Sequence, residues 1–347
     1  MKSTIFLALV PLICFFRGSA SSQRDVHSPE KSEAVDVGGY SLRILVTGKG
    51  TPTVVLESGS GSRIEDSWSK VLPEIAKLNR VVGYNRAGIG ESEPGRKPRT
   101  AQQIATELHT ALKNSGLRPP YVLVGHSIGG PYVRVFAHRY PSEVAGLVLV
   151  DPTLELAGPG DPIGWAKVHH PEKYRGLEEK LAKAELSEGM RNWMRIMCAE
   201  SMRLEEEVLL KAPKGSRDEW ARMMEREILG FLEQPALEGL RQMPPVMREE
   251  EIESGFATLE QARAAWPLPA VPVILLATSK PRETHSNTGE ELALEKARMQ
   301  ARLDAYKGWL RKIPYGKLIV TEKSGHHIPN EEPELVVDAV RQVIAKH

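Results

Sequence analysis

The chain has 347 residues, which is enough for one large domain or two modest ones. An apolar content of 41% and an aromatic content of 6% are typical of a globular protein with a substantial core. The formal net charge of +1, without a long basic run, gives no field that would attract nucleic acid, so nucleic acid is not an expected partner.

The first twenty residues have the three parts of a secretory signal peptide. Lys2 is a positive n-region, residues 5–16 ("IFLALVPLICFF") are apolar, and Gly18–Ala20 supplies small residues for cleavage. The apolar run is short for a bilayer span, although Arg17 directly after it leaves an uncleaved anchor open as the alternative. We expect signal peptide 1–20, a secreted or periplasmic protein, and no stable membrane anchor after its removal.

The next segments predict a flexible lead-in, a hairpin and a series of buried strands. Residues 21–33 are polar and aperiodic, and "AVDVGGYSLRILVTG" then alternates around Gly38 and Gly39 as a β-hairpin does. Short Val/Ile/Leu runs follow, as in parallel strands buried on both faces: "TVVLESG", "RVVGYN", "YVLVGH", "GLVLVD", "VPVILLAT" and "GKLIVTE". Helical patterns such as Thr100–Asn114 and Gly130–Tyr140 lie between them and favour an α/β sheet with right-handed crossovers.

A long helical interval interrupts the strands. From Pro152 to Trp266 no strand pattern appears, and Pro and Gly cluster at both edges. The prediction is a core in two parts, 34–151 and 267–347, with an inserted helical cap at 152–266. Cys198 is the only cysteine left after signal removal, so no intramolecular disulfide is expected. Its helical context predicts a buried position.

The strongest chemical signal is Gly125-His126-Ser127-Ile128-Gly129. It follows the strand pattern "YVLV" and precedes the helix pattern "PYVRVFAHRY". A strand that turns sharply into a helix strains the central residue, and only small neighbours tolerate the crowding. The turn puts Ser127 at the carboxyl edge of the sheet and at the positive end of a helix dipole. We therefore predict that Ser127 is a nucleophile.

These motifs together resemble the α/β-hydrolase family over nearly all of the chain from Val35 onward. "VVLESGSGS" is similar to the family's oxyanion strand and loop, and "GHSIGG" to its nucleophile elbow. "VVGYNRAGIGES" resembles its Asp-Arg-x-Gly-x-Gly-x-Ser turn, with Asn85 in place of Asp, and "SGHHIPNEEPE" resembles its C-terminal histidine motif. The resemblance implies a mostly parallel α/β-hydrolase sheet with an inserted cap.

The resemblance also implies an oxyanion hole. One donor in the family is the N–H after the nucleophile, here Ile128, and the other comes from the loop after the third strand. Ser58-Gly59-Ser60-Gly61 occupies that place, which points to the N–H of Ser60. A phosphate-binding loop fits less well because the Lys-Ser/Thr of a P-loop is missing.

The acid has two candidates. The frequent family position, after "VPVILLA", reads "TSKPRETHSN", and Glu283 is the only carboxylate there. The preceding strand pattern, "AGLVLVDP", ends in Asp151 at the same sheet edge as Ser127, and some α/β-hydrolases are similar in this respect. Asp151 is the preferred acid, with a helix N-cap or turn Asp before Pro152 as the ordinary alternative, and Glu283 is kept as the alternative acid.

The paired histidines His326 and His327 differ in their expected roles. In the family pattern the base follows Gly directly, which selects His326. We expect His327 to face away, and His126 to pack or to line the site. Adjacent histidines do not converge on one ion and no third ligand is visible, so neither a metal nor a cofactor is expected.

The sequence thus predicts a serine hydrolase acting on a small-molecule carboxylic ester through an acyl-enzyme. The resemblance also argues against haloalkane dehalogenases and epoxide hydrolases, because these members of the family use Asp at the elbow position where this chain has Ser127. A peptidase or a lactonase with the same triad, and a non-catalytic binding protein of the same fold, are the alternatives.

Overall fold

The computed structural model describes residues 31–153, 162–184, 186–230, 242–281 and 289–346. The predicted signal peptide and residues 21–30 of the lead-in lie outside these ranges. The lead-in prediction is wrong for residues 31–33, because a strand already begins at Lys31 and pairs antiparallel with the next one. Polar residues are tolerated there because the strand lies at the edge of the sheet.

Eight strands form one sheet within the described ranges. They are β1 (Lys31–Asp36), β2 (Ser41–Thr47), β3 (Thr53–Glu57), β4 (Val81–Tyr84), β5 (Tyr121–His126), β6 (Val144–Val150), β7 (Val273–Thr278) and β8 (Gly316–Thr321). Their order is β1-β2-β4-β3-β5-β6-β7-β8. The pairs β1–β2 and β2–β4 are antiparallel and the others are parallel, which confirms the hairpin and the mostly parallel sheet.

Helices connect the strands. Those of the core are α1 (Ile64–Trp68), α2 (Leu72–Ala76), α3 (Ala101–Asn114) and α4 (Gly129–Arg139), followed by a short 3-10 helix (Pro141–Glu143). Between β6 and β7 lie α5 (Pro162–His169), α6 (Pro171–Lys183), α7 (Glu188–Leu210), α8 (Arg217–Gly230), α9 (Pro245–Met247), the π-helix Arg248–Glu253 and α10 (Gly255–Ala264). After β7 come α11 (Gly289–Leu310), α12 (Ile328–Glu331) and α13 (Pro333–Ile344).

Both faces of the sheet are buried under helices. Side chains alternate along β5, so that Tyr121 and Leu123 join one core cluster and Val122 and Val124 join the other. The first cluster packs against α3, α4 and α11, and the second packs against α1, α2 and α13. Two-sided burial explains why the strands read as continuous apolar runs. It also leaves the strand ends as the places where polar groups can meet.

The described residues between β6 and β7 are helical, in keeping with an inserted cap. Trp193, Met194 and Cys198 of α7 belong to a separate apolar cluster in this region. Cys198 is 2% exposed, as predicted, and burial raises the pKa of its thiol to about 12. None of the helices in the described ranges has the length and apolar character needed to cross a membrane.

Candidate active site

Ser127 lies on the sharp turn between β5 and α4. Its φ of 54° is in the left-handed region, which is strained for a residue with a side chain. A Cβ at Gly125 would lie 2.6 Å from the carbonyl oxygen of Gly129, and a Cβ at Gly129 would lie 2.8 Å from that of Glu57. Close backbone packing therefore requires both flanking glycines. The Ser127 N–H donates to the Val150 carbonyl at 3.1 Å, which ties the strained turn to the neighbouring strand.

Asp151 directly follows β6, the neighbour of β5, and its carboxylate is buried. Its Oδ2 accepts a hydrogen bond from Nδ1 of His326 at 2.6 Å. Its Oδ1 accepts from the N–H of Thr278 at 3.3 Å and lies 3.2 Å from Nη2 of Arg302. Burial raises the pKa of Asp151, but Arg302 and the His326 hydrogen bond outweigh burial and lower it to about 2. The carboxylate is therefore charged at neutral pH and is directed at the imidazole.

His326 lies in the loop between β8 and α12. The Thr278 hydroxyl donates to the Ser324 carbonyl at 2.6 Å, which joins this loop to the end of β7. Because a carboxylate only accepts, Nδ1 of a neutral His326 carries the proton that bonds to Asp151. The Nε2 atom is then left as an acceptor, which is the state that a general base requires.

The two histidines beside the site have different surroundings. His327 is exposed and caps α12, where its carbonyl accepts the N–H groups of Asn330 and Glu331. His126 is buried, and its Nε2–H donates to the His326 carbonyl at 2.9 Å. Burial and the neighbouring His326 lower the pKa of His126 to about 3, so it is neutral near pH 7. His126 thus joins the turn at Ser127 to the histidine loop.

The loop after β3 covers the turn at Ser127. A Cβ placed on Gly59 would lie 3.1 Å from Nδ1 of His126 and 3.5 Å from the Cβ of Ser127. Ser60 is the next residue of this loop, and Ile128 is the N-cap of α4. The N-terminus of a helix favours negative charge. The two amides predicted as oxyanion donors therefore lie in segments that meet at Ser127.

The site contains buried and half-buried charges that sequence reasoning did not single out. Arg302, from α11, pairs with Asp151, and Arg86, after β4, pairs with Glu57 at 2.7 Å. Glu57 closes a buried apolar run, and that signal could have marked it. Arg302 has no comparable signal because it lies on a helix rich in charges. The alternative acid, Glu283, lies outside the described residues.

Comparison with curated proteins finds relatives among hydrolases and elsewhere. The chain is 33% identical over 151 residues to the "Probable transporter efuK" of Hormonema carpetanum, which covers 40% of this chain and 22% of that protein. It is 31% identical over 108 residues to the 2-hydroxy-6-oxo-6-(2'-aminophenyl)hexa-2,4-dienoic acid hydrolase of Metapseudomonas resinovorans, covering 29% of this chain and 37% of the relative. The chain thus spans less than half the length of either relative.

Solved structures share the fold at low sequence identity. A thermophilic esterase from Thermogutta terrifontis matches with a TM-score of 0.53 at 20% identity, over 91% of this chain and 98% of the esterase. The carboxylesterase CesB from Bacillus subtilis matches with a TM-score of 0.53 at 16% identity, over 92% and 94%. The model of the alpha/beta hydrolase family matches residues 54–339, from β3 to α13. The chain is therefore a member of the alpha/beta hydrolase family.

Proposed function

We propose that this protein is a serine hydrolase that cleaves carboxylic esters with Ser127, His326 and Asp151. The observation that carries the proposal is the 2.6 Å contact between Nδ1 of His326 and the Asp151 carboxylate, beside the strained turn at Ser127. A serine is a weak nucleophile on its own and needs an adjacent base that a third group orients. These residues follow strands at one edge of the sheet, although they are far apart in the sequence.

The first half of the reaction forms an acyl-enzyme. The Ser127 Oγ attacks the ester carbonyl carbon while Nε2 of His326 takes the hydroxyl proton. The imidazolium that forms is stabilised by Asp151, which keeps its charge because its pKa is about 2. The amides of Ile128 and Ser60 donate to the oxyanion, and each such donor is worth roughly 3 kcal/mol in the transition state. The carbonyl–oxygen bond then breaks, and His326 returns the proton to the leaving alcohol.

The second half regenerates the serine. A water molecule gives a proton to Nε2 of His326 and attacks the acyl carbon, and the same two amides stabilise the second oxyanion. Collapse of this intermediate returns the proton to Ser127 and releases the carboxylic acid. The buried histidine beside the serine, His126, stays neutral because its pKa is about 3, so it adds no charge that would compete with the imidazolium.

Other acyl substrates are compatible with the same residues. The named relative from Metapseudomonas resinovorans is a hydrolase of a dienoic acid, and the named structural neighbours include esterases. Ester cleavage is preferred because an alcohol leaves more readily than a carbanion or an amine and needs only the proton that His326 carries. Lactones, aminoacyl amides and a dienoic acid belong in the substrate panel beside p-nitrophenyl esters of different acyl lengths.

A fluorophosphonate probe tests the nucleophile directly. We expect the wild type to be labelled within minutes at a single residue, and Ser127→Ala to lose both the labelling and the turnover of p-nitrophenyl acetate, by at least roughly 10³-fold. Ser142→Ala, at an exposed serine of the 3-10 helix, is the matched control and should behave as the wild type. Equal labelling of wild type and Ser127→Ala would reject the assignment. A folded wild type that neither reacts nor turns over any substrate would favour a binding protein.

A further inference from the structure

A buried arginine joins the loop after β3 to the cap. Arg86 is 2% exposed, and each of its five N–H groups has an acceptor. Nη1 donates to the Glu57 carboxylate at 2.7 Å and to the Ser58 carbonyl at 2.8 Å. Nη2 donates to the Gly59 carbonyl at 2.9 Å and to the Glu250 carboxylate at 2.8 Å, while Nε donates to the same carboxylate at 3.0 Å. The guanidinium is therefore held by acceptors at the end of β3 and in its loop on one edge and by a carboxylate of the cap on the other.

The hydrogen bond from Arg86 to the Gly59 carbonyl sets the direction of the Ser60 N–H. In a trans peptide the C=O and the N–H of one unit point in opposite directions. The Gly59 carbonyl and the Ser60 N–H belong to one such unit. Because Arg86 holds the carbonyl, the Ser60 N–H points away from the guanidinium. Glycine has no Cβ to restrict its backbone, so an outside contact is needed to hold this peptide in one orientation.

The second carboxylate on Arg86 comes from the cap. Glu250 lies in the π-helix between α9 and α10 and is fully buried. Met247 and Val246, in the short helix α9 just before it, pack on the loops after β3 and β4. A Cβ on Gly61 would lie 2.2 Å from Cγ of Met247, and a Cβ on Gly88 would lie 3.3 Å from Cγ2 of Val246. Single π-turns inside helices occur often at functional sites. This segment of the cap therefore covers the loops after both β3 and β4.

We propose that Glu250 is a positioning residue, which acts through Arg86 to hold the Ser60 N–H in the direction that oxyanion stabilisation requires. The proposal rests on the serine hydrolase function proposed above. Glu57 alone contacts only Nη1, so loss of the Glu250 carboxylate leaves Nε and one N–H of Nη2 without a charged acceptor in a buried site. The guanidinium is then held by one carboxylate only, through Nη1, and a shift of its Nε edge away from the uncharged residue releases the Gly59 carbonyl from Nη2. Docking of the cap and the rate of acyl transfer are thereby coupled.

The test separates kcat from KM in Glu250→Gln. Removing one oxyanion donor typically costs 10²–10³-fold in kcat, and misdirecting one should cost roughly 10–100-fold. We expect kcat for p-nitrophenyl acetate to fall by that factor while KM stays within about threefold, since a donor to the oxyanion acts mainly in the transition state. The matched control is Glu249→Gln, the preceding carboxylate of the same π-helix, which pairs with exposed Lys97 at 2.7 Å and should keep the wild-type kcat.

Active sites are counted by fluorophosphonate titration, so that kcat refers to folded protein. A merely structural role for Glu250 would lower the melting temperature and the number of sites but leave kcat per site unchanged, and that result overturns the proposal. Where Glu250→Gln does not fold, Glu250→Asp keeps the charge but shortens the side chain, and kcat should fall by roughly 3–10-fold; an unchanged kcat is again contrary. Absence of wild-type labelling at Ser127 rejects the hydrolase function itself, whereas labelling with an unaffected Glu250→Gln rejects only the role of Glu250.

Discussion

Replacing Asp151 by Asn removes one charge and keeps the shape of the side chain. In the wild type, donors surround the carboxylate: Nδ1 of His326 and Nη1 of Arg302 on Oδ2, and the Thr278 N–H and Nη2 of Arg302 on Oδ1. An amide has one oxygen and one NH2 group, so half of these donors must face another donor. If the NH2 faces His326, Nδ1 must accept and the proton moves to Nε2, which can then no longer take a proton from Ser127.

Asp151→Asn should lower both kcat and the free energy of unfolding, for separate reasons. The wrong tautomer of the base lowers kcat by roughly 10⁴-fold when the rest of the geometry is kept. The pKa of Asp151, about 2 against an ordinary 3.8, corresponds to about 2 kcal/mol of stability at neutral pH. Because the folded pKa is lowered, this stability is present above pH 4 and is lost as the pH falls toward 2. We expect Asp151→Asn to lose this part of the acid dependence and to unfold at lower urea concentration.

The assay is kcat for p-nitrophenyl acetate at pH 7.5, per site titrated with fluorophosphonate, together with urea unfolding at pH 7.5 and pH 3. The comparison is Glu283→Gln, the alternative acid of the sequence interpretation. A kcat for Asp151→Asn within tenfold of the wild type, or a larger loss in Glu283→Gln, would refute the assignment of Asp151. A loss of stability without a loss of kcat would mean that Asp151 serves only to pair with Arg302.

Two further predictions concern residues around the site and in the core. Gly146→Ala places a Cβ 2.3 Å from Cγ1 of Val343, and this overpacking should lower the free energy of unfolding by about 1–3 kcal/mol with no change in kcat, as measured by urea titration; a change below about 0.5 kcal/mol would contradict it. His126 has a folded pKa of about 3 and an ordinary value of 6.5, so the unfolded chain binds more protons between these values and stability falls as the pH drops below 6.5. His126→Asn should reduce the difference in the free energy of unfolding between pH 7.5 and pH 4.5 by about 3 kcal/mol. An unchanged difference would show that folding does not lower the pKa of His126 and that the folded protein binds this proton at pH 4.5.

The elements of the core were predictable because their patterns are local. The helix expected at Thr100–Asn114 is observed at Ala101–Asn114, with the Thr100 side chain as its N-cap. The helix expected at Gly130–Tyr140 is observed at Gly129–Arg139. Because both faces of each central strand are buried, its sequence is an unbroken apolar run that can be recognised without the structure. The edge strand β1 was partly missed because its first residues, Lys31–Glu33, have the polar composition of a loop.

The residues of the candidate site also differ in whether a local sequence pattern marks them. Ser127 and Asp151 were predicted because each directly follows a strand pattern, and the carboxyl ends of parallel strands share one edge. His326 was predicted from the resemblance of its segment to the histidine motif of the family. Arg302 and Glu250 lie on helices, 151 and 164 residues from their partners Asp151 and Arg86, and their own segments are rich in charges. A buried ion pair is specified by where two distant elements pack, and neither segment alone shows that a charge will be buried.

Backbone strain connects the proposed nucleophile with the proposed acid. Within the described ranges, Ser127 and Asp151 are the two non-glycine residues with positive φ, at 54° and 38°. They extend neighbouring strands whose last residues, His126 and Val150, are in register. Each strained residue keeps a bond to the next strand, from the Ser127 N–H to the Val150 carbonyl at 3.1 Å and from the Asp151 N–H to the Leu276 carbonyl at 2.7 Å.

Strain of this kind costs on the order of 1–3 kcal/mol per residue and persists only where the surrounding structure enforces it. The backbone bonds of Ser127 and Asp151 to the neighbouring strands anchor the peptide that precedes each strained residue. With this backbone, the Asp151 carboxylate reaches Nδ1 of His326 at 2.6 Å. The ordinary alternative for Asp151 is a helix N-cap or a turn Asp before Pro152. A helix N-cap would not require the left-handed backbone, whereas a turn Asp is compatible with it. Neither would require the contact with the imidazole. The contact with His326, together with the strained backbone, therefore supports the proposed acid over a helix N-cap, and the contact alone supports it over a turn Asp.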